Sequence, residues 1–183
     1  METTTAIVIV ILAAVLLLTA AGIWWASRRK QTSGLRSTFG PEYERTIEEV
    51  GDRREAERAL KERQMRVERL RIVPLNYEDV ERFSGEWRVV QARFVDNPKS
   101  ALKEADELVG KVMERRGYPV GDFEQRAADV SVDHAEVVTN YRTAHEITMR
   151  SEKGNATTEE MRQAMHHYRA LFDDLLQTAE VRR

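Results

Sequence analysis

The chain has 183 residues, of which 42% are hydrophobic and 33% charged, and its formal net charge is −2 at pH 7. This balance is typical of a globular protein, and the absence of cysteine excludes a disulfide scaffold and thiol chemistry. The first 30 residues carry one acid and three bases, so the remaining 153 carry a net charge of −4. A mildly acidic chain argues against general nucleic-acid binding, which needs a basic face.

Apolar residues are concentrated near the N-terminus. Residues 6–26 read AIVIVILAAVLLLTAAGIWWA, without a single charge. As a helix this run would extend about 31 Å, close to the roughly 30 Å hydrocarbon thickness of a bilayer. We therefore predict a transmembrane helix over residues 6–27, preceded by a short extracytoplasmic tail, residues 1–5. A cleaved signal peptide is the alternative, but its positive charges precede the apolar run, whereas the bases here follow it.

Aromatic and basic residues at the end of this run indicate an orientation. Trp24 and Trp25 favour the headgroup boundary, and Arg28, Arg29 and Lys30 favour the cytoplasmic side of a span. We predict that these five residues are membrane-interface anchors. The protein would then be a single-pass protein of the cell membrane, with its N-terminus outside and its C-terminal domain in the cytoplasm.

A linker and a charged helix are predicted next. Residues 28–40 contain basic residues, Ser, Thr and Gly, which favour a basic, flexible linker. Pro41 suits the first turn of a helix over residues 41–72, which is highly charged and has a narrow, broken apolar seam. Such a helix is typically solvated, whether packed on the bundle or projecting as a stalk, and a coiled-coil role is the alternative. Three acid-first pairs would support it: Glu49–Arg53, Glu57–Lys61 and Glu62–Arg66.

Residues 76–179 predict a bundle of about four helices with a short extra turn. Val80, Phe83 and Trp87 recur every three or four residues, as on an amphipathic helix, and no run shows a sustained period of two. The fold class is therefore all-α. The predicted helix starts lie at residues that can cap a helix N-terminus: Asn76, Asn97, Asp122, Ser131 or Asp133, and Thr157 with Glu160.

The histidines do not match a metal-binding pattern. His134 and His145 are three helical turns apart, about 16 Å, and cannot share one ion. His166 and His167 are adjacent and project about 100° apart. The sequence contains no serine elbow, phosphate loop or dinucleotide-binding turn. We predict surface or rim positions for the histidines, and no catalytic residue, cofactor or metal.

The stretch RRGYPVGDF, residues 115–123, is the most distinctive part of the predicted bundle. In one interpretation Tyr118 and Phe123 are anchors for a partner protein, framed by Arg115 and Arg116. In the other, the two aromatic residues pin a helix–helix corner onto the core, with Tyr118 as the hydrophobic contact that follows a C-cap glycine.

Three runs within residues 35–147 resemble a family of uncharacterised bacterial proteins: FGPEYERTIEE, WRVVQARFVDNPKSALKEADELVGKVMERRGYP and DVSVDHAEVVTNYRTAH. The RRGYP and SVDH segments are the more specific parts of this likeness. The resemblance implies a helical protein that is membrane-anchored or exported. It implies no activity, cofactor or catalytic residue, because none is established for that family.

Three functional hypotheses remain open at this point. The leading one is a membrane-anchored scaffold whose cytoplasmic helical domain binds another protein, favoured because no chemistry-bearing motif is visible. The alternative is a structural spacer that self-associates through the charged helix. The third is an enzyme whose site is assembled from residues far apart in the sequence.

Overall fold

The computed structural model of the protein describes residues 16–19, 22–23, 25 and 29–177. Within these ranges it contains helices, turns and irregular connections but no strand, which confirms the all-α prediction. We number the helices in chain order as α1 (29–39), α2 (Pro41–Val50), α3 (Arg53–Glu68), α4 (Tyr77–Arg93), α5 (Pro98–Arg116), α6 (Phe123–Asp133), α7 (Ala135–Glu152) and α8 (Thr158–Gln177).

The predicted transmembrane helix over residues 6–27 requires correction. In the described part of the chain, no helix combines the length and the apolar character that crossing a bilayer requires. Helix α1 carries Arg29, Lys30 and Arg36, and the later helices are amphipathic, so none offers about 20 consecutive apolar residues. Residues 1–15, 20–21, 24 and 26–28 lie outside the described residues. The cytoplasmic placement is untested by these helices and stays a prediction.

The predicted linker over residues 28–40 is instead a packed helix from residue 29 onward. Leu35, Phe39 and Tyr43 recur every four residues, and all three are buried with Leu60 in a small apolar core. This spacing places Leu35 and Phe39 on one stripe of α1, and Tyr43 joins them from the start of α2. Gly40, with a φ of 47°, separates α1 from α2 and allows a change of direction that a residue with a side chain would resist.

The predicted single helix over residues 41–72 is two helices. Gly51 adopts a left-handed conformation with a φ of 80° and ends α2, and Asp52 then caps α3 by accepting a hydrogen bond from Glu55 N at 2.9 Å. Helix α3 folds back on α2, and the pair packs on the bundle through α6 and α7. The charged segment is therefore a docked hairpin and not a stalk.

The bundle consists of α4–α8, with α5, α7 and α8 in mutual contact, α4 on α5 and α6 on α7. The predicted caps at Asn76, Asn97 and Asp122 are confirmed, as is the capping box formed by Thr157 and Glu160. The short turn predicted after Asp122 is an eleven-residue helix, α6, and α7 starts after His134. Ser131 and Asp133, the two residues predicted to cap α7, lie inside α6.

Aromatic side chains fill the bundle core. The rings of Trp87 and Phe172 stack with centroids 4.7 Å apart, and the rings of Tyr141 and Tyr168 meet edge to face at 6.1 Å. All four residues are at most 2% exposed. The surrounding apolar residues come from every helix of the bundle and include Phe83, Leu102, Leu108, Val109, Val112, Met113, Val130, Val138, Leu171 and Leu175.

Candidate binding site: a groove between the first and third helices

A groove with a volume of about 950 Å³ lies between α1 and α3. Its lining contains five cationic side chains and a single carboxylate, in a chain whose formal net charge is −2. We call this surface the basic groove; it is lined by Trp25, Arg29, Gln31, Thr32, Arg53, Arg54, Glu57, Arg58 and Lys61. Low-dielectric walls of one charge sign concentrate the electrostatic potential, so the groove attracts anions.

Three cations of the basic groove form a row on α3. Arg54, Arg58 and Lys61 are spaced by four and three residues and are all exposed. None of them makes a hydrogen bond or an ion pair with another described residue. A row of unpaired cations on one face of a helix can form charge-assisted hydrogen bonds with an anionic partner.

The floor of the groove explains why this row is unpaired. The Glu57 Oε1 atom accepts hydrogen bonds from Tyr43 Oη at 2.7 Å, Thr32 Oγ1 at 2.8 Å and Arg53 Nε at 3.2 Å. Burial raises the pKa of the Glu57 carboxyl, but these hydrogen bonds outweigh burial and hold this pKa below its usual range. Glu57 is therefore ionised and already occupied, and the predicted pair with Lys61 does not form.

The other two predicted pairs of the charged segment are also replaced by different contacts. Glu49 pairs with Arg45, at 2.5 Å between Oε1 and Nη2, and Arg66 leaves the face of Glu62 to bind Asp129 on α6. Tertiary packing therefore gives these side chains different partners from those predicted by the i,i+4 rule, which applies to an isolated helix.

The predicted membrane-interface anchors are partly described. Trp25 and Arg29 line the basic groove, with the Arg29 guanidinium carbon 5.5 Å from the centre of the Trp25 ring, a cation–π distance. The Trp25 side chain is 63% exposed, and Lys30 is exposed next to Arg29. Trp24 and Arg28 lie outside the described residues.

The candidate partner-binding residues of the stretch 115–123 do not form one surface. Arg115 is half-exposed and its Nε lies 2.7 Å from Asp79 Oδ2. Arg116 and Tyr118 are buried, with 4% and 3% exposure. Phe123 is half-buried, and its ring stacks on His145 with centroids 3.6 Å apart. Burial of the central two residues fits the helix-corner interpretation and leaves no continuous face for a partner.

His134 joins three helices in a buried polar network and does not occupy the rim position that was predicted. Its Nδ1 contacts the Asp174 carboxylate, and its Nε2 lies 3.3 Å from Arg116 Nη1, which also donates to the Leu175 carbonyl oxygen at 3.0 Å. Burial lowers the pKa of His134. Both ring nitrogens of His134 are therefore in contact with side chains of the same chain. The described residues contain no group of three or more potential ligands that could hold a metal ion.

A second buried polar cluster surrounds Asp106 in the bundle. Arg126 Nη2 and His145 Nδ1 lie 3.8 and 3.9 Å from Asp106 Oδ2. Burial, with a further contribution from the Asp106 charge, raises the pKa of both Tyr141 and Tyr168. The Tyr168 hydroxyl shares a hydrogen bond with Thr148 Oγ1 at 3.0 Å, and the Tyr141 hydroxyl is buried without a hydrogen-bond partner among the described residues. Above the cluster, a groove of about 480 Å³ exposes Arg45 and Arg142, but both are committed to carboxylates of the same chain.

The basic groove is thus the site whose charges are most available to a ligand. No family model, no curated protein and no solved structure matches this chain. The resemblance to a bacterial family stays a prediction.

Proposed function

We propose that the protein is a helical interaction module that binds an acidic segment of another protein in the basic groove. The observation that carries this proposal is the row Arg54, Arg58 and Lys61, which is exposed and unpaired in the described part of the chain. Most arginines elsewhere in these helices already pair with carboxylates, whereas Arg54, Arg58 and Lys61 are unpaired cations on one face of a single helix. The proposal includes no membrane span.

The surroundings of the row favour a protein partner over a nucleic acid. A phosphate backbone carries evenly spaced charge along its whole length and needs an extended basic face. Here the row is only about 10.5 Å long at 1.5 Å per residue. Exposed Glu55 and Glu62 flank it on α3, so a continuous polyanion would meet like charge on leaving the groove.

Self-association, the structural alternative, needs a complementary acidic surface on the same chain. In the described helices, two sets of acids repeat the spacing of four and three residues: Glu48, Asp52 and Glu55, and Asp129, Asp133 and Glu136. The first set spans the break at Gly51 and the second the break at His134, so neither lies on one continuous helix. Self-association stays a prediction, and light scattering on the full chain would separate it from partner binding.

A charge-reversal experiment tests the proposal. The full chain is titrated into a fluorescently labelled glutamate-rich peptide, and binding is followed by anisotropy at low and high salt. Each exposed ion pair contributes about 0.2–1 kcal/mol, so we expect Arg54→Glu, Arg58→Glu and Lys61→Glu together to weaken binding about tenfold or more. Binding by the parent protein should also weaken as salt rises.

A matched control separates the groove from net charge. Arg88, Lys111 and Lys153 are exposed on the bundle, and changing all three to Glu alters the net charge by the same amount. We expect this control to bind nearly as well as the parent. Equal affinity of the parent and the groove variant would refute the proposal.

A further inference from the structure

We infer that the partner segment is an α-helix with three acidic residues on one face, spaced by four and three residues. This inference rests on the proposed function and adds the conformation and register of the ligand. It follows from the positions of Arg54, Arg58 and Lys61 and from the acids that border them.

The spacing of the row fits a helix better than an extended segment. Along α3 the steps from Arg54 to Arg58 and from Arg58 to Lys61 are about 6 Å and about 4.5 Å, and the three side chains fall within an arc of about 60°. A partner helix with acids at the same spacing reproduces both steps on one face. An extended chain presents same-face side chains about 6.6 Å apart, which matches the shorter step less closely than a helix does.

Carboxylates on both sides of the row define the register. Glu57 borders the row toward the groove floor, where hydrogen bonds from Tyr43 and Thr32 keep it in place. Glu55 and Glu62 border it on the opposite side, about 40–60° around the α3 axis from Arg58. A partner acid displaced to either side would meet a like charge, and such repulsion supplies specificity in charged interfaces.

Trp25 supplies a contact of a different kind in the same groove. Its side chain is 63% exposed, and Arg29 lies over its ring. Aromatic side chains with exposed faces are frequent energetic centres of protein interfaces. We therefore expect the partner helix to place an apolar residue beside its acidic row.

Three peptides of equal composition and charge test the inference on the full chain. The first is an alanine-based helix with Glu at the spacing of four and three residues. The second is an equally helical peptide with the three Glu residues on different faces. All three peptides contain one proline, which is terminal in the first two. In the third peptide the same residues are reordered so that the proline is central, and this peptide cannot form a helix.

We expect the first peptide to bind at least about fivefold more tightly than the other two, and the groove variant to lose this preference. Equal binding of all three peptides, abolished in the groove variant, would overturn the helical register and leave the proposed function intact. No binding of any peptide would overturn both. Tighter binding of a single-stranded oligonucleotide than of the first peptide would also overturn both.

A double-mutant cycle locates the central contact. Arg58→Gln is combined with Glu→Gln at the central acid of the first peptide. If the two side chains pair, the double change weakens binding about two- to fivefold less than the product of the single effects. The cycle is repeated with Arg54→Gln and with Lys61→Gln, each combined with the same change in the peptide. If the central acid shows no coupling to Arg58, Arg54 or Lys61, the result contradicts the assigned register.

Discussion

Helices α1–α3 and helices α4–α8 are held in place by different forces. The bundle of α4–α8 encloses a large apolar core centred on stacked aromatic rings. The hydrophobic cluster shared by α1–α3 is small, with four buried side chains among the described residues, those of Leu35, Phe39, Tyr43 and Leu60. Attachment of α1–α3 to the bundle therefore depends much more on charged contacts than the bundle itself does.

Glu42 is the centre of these charged contacts. Its side chain is 1% exposed, and its Oε1 accepts from Arg142 at 2.8 Å and from Arg45 and Arg63 at 3.4 Å. A second contact joins Arg66 Nε to Asp129 Oδ1 at 2.9 Å. Because a buried ion pair gains little over apolar packing but is costly to break, these contacts fix where α1–α3 dock more than they add stability.

The basic groove lies in the less apolar of the two regions. Surplus cations are tolerated on α3 because one face of that helix is docked through Ala56, Leu60 and Val67 while the opposite face stays in solvent. The surface that we propose to bind an acidic partner thus belongs to the region whose own docking depends on charged contacts.

Removal of the central ring of the bundle should have the largest effect. Trp87 is 2% exposed and stacks on Phe172, so Trp87→Ala should lower the free energy of unfolding by about 3–5 kcal/mol. Urea denaturation measures this loss. Val89→Ala, at a side chain that is 54% exposed, is the control and should change stability by less than about 0.5 kcal/mol. Similar losses for the two variants would contradict an aromatic core as the main source of stability.

Loss of the buried carboxylate should release α1–α3 selectively. Glu42→Gln leaves Arg45, Arg63 and Arg142 without their shared anion, and we expect a cost of about 3 kcal/mol. Amide hydrogen exchange should accelerate in α1–α3 while α5 and α8 keep their protection.

The control for that substitution is Glu44→Gln. Glu44 is exposed and pairs with Arg36 at 2.8 Å on the same region, so its loss should cost at most about 1 kcal/mol. If amide exchange in Glu42→Gln rose equally in α1–α3 and in the bundle, the two regions would unfold as one cooperative unit. Such a result would contradict the claim that different forces hold them in place.

The smallest expected effect is an acid-dependent one within the bundle. Hydrogen bonds from the Thr157 backbone, Arg150 and the Thr157 hydroxyl lower the pKa of Glu160 from 4.5 to about 2. A depressed carboxyl pKa means that this stabilisation is present above pH 4.5 and is lost as the pH falls toward about 2. Glu160→Gln should therefore flatten the decline of melting temperature over that interval.

Glu81→Gln is the matched control for the acid dependence. Glu81 is exposed and makes no hydrogen bond or ion pair with the described residues, so its variant should follow the parent curve. A Glu160→Gln curve that coincides with the parent between neutral pH and about 2 would argue against the capping box as a source of acid sensitivity.

Local features of the fold were predictable from the sequence, and contacts between distant residues were not. The caps at Asn76 and Asn97 depend on residues three positions apart, which a pattern can detect. The pair of Glu42 and Arg142 joins residues 100 positions apart. No local pattern indicates such a pair. Gly51 did carry a signal, a shift in the apolar phase, but the charge pairs around it suggested one continuous helix.

The candidate site shows the same division. The spacing of Arg54, Arg58 and Lys61 can be read from the sequence. That Glu57 does not pair with Lys61 depends on hydrogen bonds to Glu57 from Thr32 on α1 and Tyr43 on α2, which the sequence does not indicate. The membrane prediction drew on residues that are mostly outside the described part of the chain, and the described helices offer no span. For the stretch 115–123, the sequence left two interpretations open, and burial of Arg116 and Tyr118 favours the helix-corner interpretation.

The segment between α3 and α4 limits how far α1–α3 can move away from the bundle. It is tied to the end of α5 by the hydrogen bond from Val73 N to the Arg116 carbonyl oxygen at 2.8 Å. Next to this bond, the close approach of Arg71 to Gly117 leaves no room for a side chain on that glycine. If α1–α3 came off the bundle, only the four residues between Glu68 and Val73 would be free, and the five Cα-to-Cα steps from Glu68 to Val73 reach about 17 Å. The detached helices would remain at a high local concentration near the bundle and rebind rapidly. A ligand that favours the detached state would therefore have to compete with this intramolecular rebinding.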